Sequence, residues 1–259
     1  MTYTKDKRIA RVTFCRPEIH NAFNATVITE MNDVFDQIRI DDEIRVVILT
    51  GEGKSFCAGA DLNWMKSVVD QTYEQNLDES NKLADLFYNM YTCPRPIIGR
   101  INGAAIGGGT GFVAVCDIAI AAASAKFSFS EVKIGVVPAC IGPYVIKKLG
   151  EGRARELFIT GERMRARRAH EVGLVNKVVE DERLDDEVRH LTESILSSGP
   201  NAVAMAKQLV SNVPQMAPKE FKPYTAEMIA KLRISDEGQE GMNAFLSKRK
   251  PAWVTNNKA

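Results

Sequence analysis

The stretch Ser55-Phe56-Cys57-Ala58-Gly59-Ala60-Asp61-Leu62 is the most informative part of this chain. It follows an apolar, β-branched run at residues 46–50, which is typical of a buried strand. Small residues let a backbone come close to a ligand, and no bulky side chain shields their amide N–H groups. The stretch therefore predicts a loop whose backbone faces a small molecule.

A second stretch of the same kind, Asn102-Gly103-Ala104-Ala105-Ile106-Gly107-Gly108-Gly109, follows the apolar residues 96–98. If the two loops converge, one N–H group from each can bind the same carbonyl oxygen and form an oxyanion hole, which stabilises a developing enolate. The glycines also open a predicted helix at residues 107–115, and its positive N-terminal end favours negative charge at that point.

Together the two loops resemble the enoyl-CoA hydratase/isomerase (crotonase) family. The family's first loop reads Phe-x-Ala-Gly-x-Asp-Leu, as residues 56–62 do, and its second reads Asn-Gly-x-x-x-Gly-Gly-Gly, as residues 102–109 do. The resemblance extends from Asn21-Ala22-Phe23 to Lys248-Arg249-Lys250 and so covers nearly the whole chain.

The resemblance implies an α/β fold, a crotonase-like β-β-α superhelix (a spiral) with a C-terminal helical part. We expect residues 1–197 to form the spiral core with the acyl-CoA site and residues 198–259 to form a helical oligomerisation part. The boundary falls at Ser197-Ser198-Gly199-Pro200. A homotrimer or a dimer of trimers is the implied assembly.

Hydrophobic periodicity predicts individual elements. Asn24 is the expected N-cap of a helix at residues 24–40, whose apolar stripe is formed by Val27, Ile28, Met31, Val34, Phe35 and Ile38. Residues 62–91 are predicted to be mostly helical and polar, with Asn and Asp interruptions. Further helices are predicted at residues 153–160, 184–197, 201–213 and 226–247, and strands at residues 9–14, 44–50 and 117–121.

The resemblance also implies the site residues. The two oxyanion donors fall on the N–H groups of Ala60 and Gly108, and the acid/base group falls on Glu131. The remaining expected contacts with substrate or CoA are Ala22, Ala58, Asp61, Leu62, Gly107, Gly111, Tyr144 and Lys248. Lys248 aligns with a family residue that approaches the CoA phosphates.

The chain departs from the family at one functional position. Family hydratases use two glutamates, and where the first would stand this chain has Gly111. Glycine has no side chain to hold the attacking water. Tyr144 is a candidate for that role, since its phenol can bind a water or a substrate carboxylate.

The expected activity is hydration of a 2-enoyl-CoA with a branched or carboxylated acyl group. Residues 57–66, 130–132, 137–139 and 143–145, together with Gly111, resemble bacterial hydratases of the methylglutaconyl-CoA and carboxygeranoyl-CoA type. The alternative is a Δ3,Δ2-enoyl-CoA isomerase, which needs only one glutamate to move a proton.

A nicotinamide-binding protein is a more remote alternative. Residues 109–114 match G-x-G-x-x-A and Glu131 lies downstream, as in a dinucleotide-binding fingerprint. However, Gly103 to Ile106 separate the preceding strand from these glycines. The sequence therefore favours the acyl-CoA site over this one.

Composition narrows the class of protein. The hydrophobic content of 45% and charged content of 26% are ordinary for a globular enzyme, and a net charge of +1 gives no reason to expect a nucleic-acid partner. The five cysteines are scattered without a CxxC pair and the three histidines are isolated, so we expect no metal. No signal peptide or membrane span is visible. A cytoplasmic enzyme with no cofactor beyond the CoA of its substrate is expected.

Overall fold

The computed structural model describes residues 1–255, and its elements follow one another along the chain. The strands are β1 (Thr2–Asp6), β2 (Ile9–Phe14), β3 (Val46–Gly51), β4 (Ser55–Cys57), β5 (Ile97–Ile101), β6 (Ala104–Ile106), β7 (Ile118–Ala122), β8 (Lys126–Ser128), β9 (Arg163–Arg165) and β10 (Lys177–Val179).

The helices are α1 (Ala25–Ile40), α2 (Leu62–Ser67), α3 (Tyr73–Tyr91), α4 (Gly108–Val115), α5 (Gly142–Leu149), α6 (Glu151–Thr160), α7 (Ala166–Glu171), α8 (Leu184–Leu196), α9 (Pro200–Asn212), α10 (Pro218–Ile234), α11 (Asp236–Leu246) and α12 (Ala252–Thr255). No helix within residues 1–255 combines the length and apolar character needed to cross a bilayer.

The strands form two sheets, and the chain alternates between them. The first sheet has the order β1-β2-β3-β5-β7-β10 and the second has the order β4-β6-β8-β9. From β3 to β8, each strand of the first sheet is followed by one of the second, and parallel pairing joins successive turns. This is a β-β-α spiral, so the expected fold class is confirmed.

The first four residues of β3, Val46 to Leu49, are all apolar because both faces of the strand are covered. Val47 and Leu49 belong to the main core, which also contains the buried face of α1. Val46 and Ile48 face the other way, into a smaller core with Leu184 of α8. A strand that is covered on both faces reads as a continuous apolar run, without the alternation of a half-exposed strand.

Helix α1 follows its prediction closely. The Asn24 side chain accepts a hydrogen bond from the amide of Val27 at 3.1 Å, which is the expected N-cap. The buried residues of the helix are the six predicted for its apolar stripe, Val27, Ile28, Met31, Val34, Phe35 and Ile38. The local pattern therefore decided both the start and the orientation of this helix.

The prediction of a single helix at residues 226–247 is wrong. Helix α10 ends at Ile234 and α11 begins at Asp236, with Ser235 in an extended conformation between them. The Ser235 hydroxyl accepts a hydrogen bond from the amide of Gly238 at 3.1 Å, so it caps the new helix. Helical periodicity continued through the break and concealed it.

The stretch at residues 62–91, predicted to be helical with interruptions, is divided into two helices. Helix α2 passes into a 3-10 turn, Val68–Asp70, and α3 starts afresh after Thr72. Thr72 and Gln75 form a reciprocal capping box at this second start. The division matters for function because α2 lies next to the first small-residue loop.

Candidate active site

The two small-residue loops meet at a cavity of about 410 Å³. Its walls are mainly apolar, and one acidic side chain, Glu131, lies among them in the part of the chain described. The lining residues come from the two loops, from α2 and α3, and from the segment after β8. They include Phe23, Ala58, Gly59, Ala60, Leu62, Trp64, Met65, Ser80, Leu83, Gly107, Gly108, Ser130, Glu131, Val137 and Ile141.

The first loop is held by backbone pairing with residues 20–23. The Ala58 amide donates to His20 O at 3.0 Å, and the Asp61 amide donates to Phe23 O at 2.8 Å. Between them, the Ala60 amide has no acceptor among residues 1–255. The structure thus uses the N–H groups of Ala58 and Asp61, and the N–H group of Ala60, predicted as an oxyanion donor, is left available at the cavity.

The second loop turns sharply into α4. The amide of Gly107, whose φ is +54°, donates to Ser128 O at 2.8 Å. Gly108 is the first residue of α4, so its amide has no carbonyl of a preceding helical turn to bind. Within the described chain it has no acceptor either. Its N–H group therefore adds to the positive end of the helix dipole at the cavity.

Glycine is required where the loops touch. A Cβ at Gly109 would lie 2.0 Å from the carbonyl oxygen of Cys57, and one at Gly59 would lie 2.7 Å from that of Ile106. Gly59 also has a φ of +92°, which L side chains rarely adopt. No larger residue at these positions permits the same approach of the two backbones.

Glu131 begins a 3-10 turn, Glu131–Ile134, and lines the cavity next to the second loop. A Cβ at Gly107 would lie 3.3 Å from its Oε1. Its Oε2 is buried and has no hydrogen-bond partner among the described residues. Burial raises the pKa of Glu131 above its ordinary value, because desolvation disfavours the charged carboxylate. The group is suited to gaining and losing a proton in the cavity.

Gly111 does not line this cavity. A Cβ built on it would lie 2.1 Å from Cγ2 of Ile141 and 3.2 Å from Cζ of Phe87. Ile141, which is only 3% exposed, forms part of the cavity wall. Its side chain occupies the volume that any side chain at position 111 would need. The sequence did not signal this compensation, since 30 residues of chain separate the two positions.

Asp61 and Ala22 contribute to the architecture of the first loop. Asp61 is the N-cap of α2, and it forms an ion pair with Arg16 at 2.8 Å. The bond from the Asn63 amide, followed by the Arg16 guanidinium, lowers the pKa of Asp61. Arg16 also donates to Ala22 O at 2.8 Å. Sequence reasoning missed Arg16, which carries no motif and acts through a contact across 45 residues.

The remaining predicted contacts divide into two groups. Ala58, Leu62 and Gly107 line the cavity, with Leu62 73% exposed at its mouth. The structure does not bring Tyr144 or Lys248 to it. The centroid of the Tyr144 ring lies 5.1 Å from that of Tyr91, and Tyr144 lines two other surface pockets. Lys248 follows α11 and is exposed to solvent. Tyr144 therefore has no contact with the cavity through which to hold a water there.

Cys57 lies in the first loop, but it is not placed to act as a nucleophile. Its side chain is fully buried, and burial raises the pKa of its thiol to about 12. A thiol is reactive as the thiolate, which this environment disfavours. Cys57 is a packing residue, as its small size in a crowded loop suggests.

Comparison with known proteins agrees with the fold. The family model described as enoyl-CoA hydratase/isomerase matches residues 4–256. A solved structure of an enoyl-CoA hydratase from Shewanella pealeana is 38% identical, with a TM-score of 0.93 over 97% of this chain and 95% of that one. The chain therefore belongs to the enoyl-CoA hydratase/isomerase family.

Relatives within the family carry different activities in their names. The short-chain-enoyl-CoA hydratase of Clostridium acetobutylicum is 35% identical, over 95% of this chain and 94% of its own length. The 1,2-epoxyphenylacetyl-CoA isomerase of Escherichia coli is 31% identical, over 96% of each chain. The similarity of whole chains therefore defines the family, and the choice among its reactions depends on the site.

The contact between Gly111 and Ile141 generates a stability prediction. Gly111→Ala should destabilise the protein by about 1–3 kcal/mol, because the added methyl group overpacks against Ile141. In an Ile141→Ala background the same Gly111→Ala change should cost less, because the added methyl group then has room. Chemical unfolding at fixed protein concentration measures both effects.

The matched control is Gly152→Ala, at a helical glycine whose Cβ would meet nothing within 4 Å. This change should be neutral or stabilising, since alanine favours a helix. Equal stability of Gly111→Ala and the wild type would contradict the arrangement of Gly111 and Ile141.

Proposed function

We propose that this protein is a 2-enoyl-CoA hydratase that acts on a branched or carboxylated acyl group. The supporting observation is that a single cavity is lined by Ala60, Gly108 and Glu131, with two unpaired backbone N–H groups and one partly desolvated carboxyl group. Two donors for an oxyanion and one group for proton transfer are what enolate chemistry on a thioester requires.

The N–H groups of Ala60 and Gly108 bind the thioester oxygen of the substrate. Negative charge grows on that oxygen as the enolate forms, so the two bonds are stronger in the transition state than in the ground state. The N-terminus of α4 adds a favourable field at the same point. These groups act by position alone and exchange no proton.

Glu131 moves the protons of the reaction. As a carboxylate it takes a proton from water, and the resulting hydroxide oxygen bonds to the β-carbon while the electrons of the double bond pass to the thioester oxygen. The protonated Glu131 then returns its proton to the α-carbon, and the elements of water have been added. A raised pKa suits a group that must act in both forms.

The attacking water has few protein partners in this cavity. Tyr144 lies elsewhere, and among residues 1–255 no second carboxylate lines the cavity beside Glu131. Ser130 precedes Glu131 in the chain and lines the same cavity, so its hydroxyl is the candidate to share a water with it.

We infer the branched or carboxylated substrate class from the apolar walls and from the resemblance of the site segments. Leu83, Val137 and Ile141 offer apolar surface to a branch. Among the residues described, the attacking water has protein partners only near Glu131. A carboxylate on the substrate can accept its second hydrogen bond and so help to orient it. The resemblance to methylglutaconyl-CoA and carboxygeranoyl-CoA hydratases supports the same substrate class.

The alternative function is a Δ3,Δ2-enoyl-CoA isomerase. One observation favours it: among the described residues around the cavity, Glu131 is the only carboxylate. An isomerase removes a proton from the α-carbon and returns it to the γ-carbon, and a single glutamate suffices for both steps. This reaction needs no bound water.

The rest of the proposal concerns assembly and CoA. Apolar side chains of the C-terminal helices, including Ile234 at 80%, Phe245 at 83% and Leu246 at 77%, are exposed in the single chain and support a homotrimer or dimer of trimers. Lys248 follows directly and is proposed to meet the CoA phosphates. The reaction requires no metal or further cofactor, and a cytoplasmic location remains a prediction.

A panel of thioesters distinguishes the two functions. We expect the wild-type enzyme to hydrate 3-methylglutaconyl-CoA much faster than crotonyl-CoA, measured by loss of enoyl-thioester absorbance. A titration with free CoA and with NAD serves as a check on the ligand class. Rapid conversion of a 3-enoyl-CoA, with no hydration of any 2-enoyl-CoA, would favour the isomerase.

Glu131→Gln should lower turnover by roughly 10²–10⁴-fold while leaving the affinity for free CoA unchanged, because it removes the proton carrier and keeps the shape. Turnover and CoA affinity are measured on the same preparation. Turnover within a few-fold of wild type would remove Glu131 from the mechanism.

Glu131→Gln should lower turnover but raise the stability of the folded protein at neutral pH. Burial raises the pKa of Glu131 in the folded protein above the unfolded value near 4.5. The folded protein therefore loses stability as the pH rises from the unfolded pKa through the higher folded pKa, because Glu131 must then ionise in a buried position. At neutral pH, Glu131→Gln should therefore unfold at a higher temperature than wild type. Below the unfolded pKa, where both side chains are neutral, the difference should vanish.

Gly108→Ala should lower kcat by about 10²–10³-fold, the usual effect of losing one oxyanion donor. The added Cβ would lie 2.7 Å from Cζ of the Phe23 ring, which is buried against Trp64 and Phe112. Because that ring has little room to move, we expect the backbone at residue 108 to shift and its N–H group to lose its alignment with the thioester oxygen. Steady-state kinetics measures the loss, and circular dichroism checks the fold. Unchanged kcat would contradict the assignment of the Gly108 N–H group.

A further inference from the structure

One wall of the cavity is a tryptophan held by a glutamate from another helix. Trp64, on α2, lines the cavity, and its ring centroid lies 5.9 Å from that of Phe23. Its indole Nε1 donates to Oε2 of Glu79, on α3, at 2.9 Å. The other oxygen of Glu79, Oε1, accepts a hydrogen bond from Nε2 of Gln71 at 3.0 Å. One carboxylate thus fastens two points of the segment that precedes α3.

This segment has few other attachments. No side chain of α2 or of the 3-10 turn Val68–Asp70 is buried. Segments with few buried apolar contacts open at a low free-energy cost. Trp64 itself is half-buried and packs against the main core, including Phe23. The hydrogen bond to Glu79 adds direction to this packing, because it fixes the indole N–H at one point.

We propose that Glu79 is a positioning residue that holds Trp64 in place as a wall of the acyl pocket and so determines how tightly the acyl part of the substrate binds. The inference rests on the proposed function, since it takes the cavity to be the acyl site. A carboxylate accepts hydrogen bonds and donates none, so Glu79 fixes the direction of both the indole and the Gln71 amide. Bonds to a charged acceptor are also stronger than neutral ones.

Neighbouring residues on α3 provide matched variants. Glu79→Ala removes both hydrogen bonds, while Glu79→Gln keeps a carbonyl oxygen for only one of the two donors. Asp78→Ala is the control, because Asp78 is the adjacent acid and forms only an exposed pair with Lys82, at 2.6 Å. Any effect of general charge loss on α3 should appear in this control as well.

Fluorescence reports the position of Trp64 without a substrate. The chain has two tryptophans, Trp64 and Trp253, so Trp253→Phe leaves Trp64 as the only emitter. In that background, Glu79→Ala should move the emission to longer wavelength and increase quenching by acrylamide, because the Trp64 indole becomes more exposed to solvent. Glu79→Gln should lie in between, and Asp78→Ala should match the parent.

Kinetics then tests the effect on the acyl group. For the enoyl-CoA that the panel identifies as the best substrate, Glu79→Ala should raise KM about tenfold with little change in kcat. Affinity for free CoA, which has no acyl group, should not change.

The two readouts separate the possible failures. Wild-type emission and KM in Glu79→Ala would overturn the inference, as would a shifted emission with an unchanged KM. An equal rise in KM for Asp78→Ala would also overturn it. If the wild-type enzyme acted on no enoyl-CoA, the proposed function would fail, and a tenfold loss of affinity for whichever acyl-CoA binds the cavity would still support the role of Glu79.

Discussion

The close contact of two backbones is the constraint on which this structure depends. Where β4 and β6 lead into their loops, Gly109 lies against the Cys57 carbonyl and Gly59 lies against the Ile106 carbonyl, and neither contact leaves room for a Cβ atom. The spiral brings the ends of these strands side by side, since β4 and β6 are parallel neighbours in one sheet. The amide groups of both loops can reach one cavity only because nothing larger than hydrogen separates the chains.

The chemistry of the cavity follows from what surrounds this contact. Backbone pairing consumes the amides of Ala58 and Asp61 but leaves that of Ala60 unpaired. Glu131 lies against Gly107, and the lack of a side chain there lets the carboxyl group approach the second loop. Apolar neighbours desolvate this carboxyl group and raise its pKa. The cavity therefore combines backbone N–H groups held in fixed positions with one carboxyl group of raised pKa, and Trp64 and Ile141 restrict the space that remains.

The sequence predicted those parts of the site that local composition defines. Ala58, Ala60, Leu62, Gly107, Gly108 and Glu131 all line one cavity, as expected from two small-residue loops and one acid. The sequence did not predict that Tyr144 and Gly111 lie away from the cavity. Tyr144 lies near the motif in sequence, but its position on α5 turns its ring toward Tyr91. Gly111 faces Ile141, and no local pattern indicates which distant side chain fills the space beside a glycine.

The elements of the fold also separate into those that local sequence predicts and those that depend on tertiary contacts. By itself, the sequence determined α1, because its N-cap and apolar stripe are written into consecutive residues, and it predicted a strand in the apolar run that forms β3. Only the tertiary structure decided that β4, β6, β8 and β9 are strands, because three residues are too few for a period to be recognised. The same is true of the break at Ser235 and of the bond between Glu79 and Trp64. Local free-energy preferences act between near neighbours in the chain, whereas these features depend on which distant surfaces the fold brings into contact.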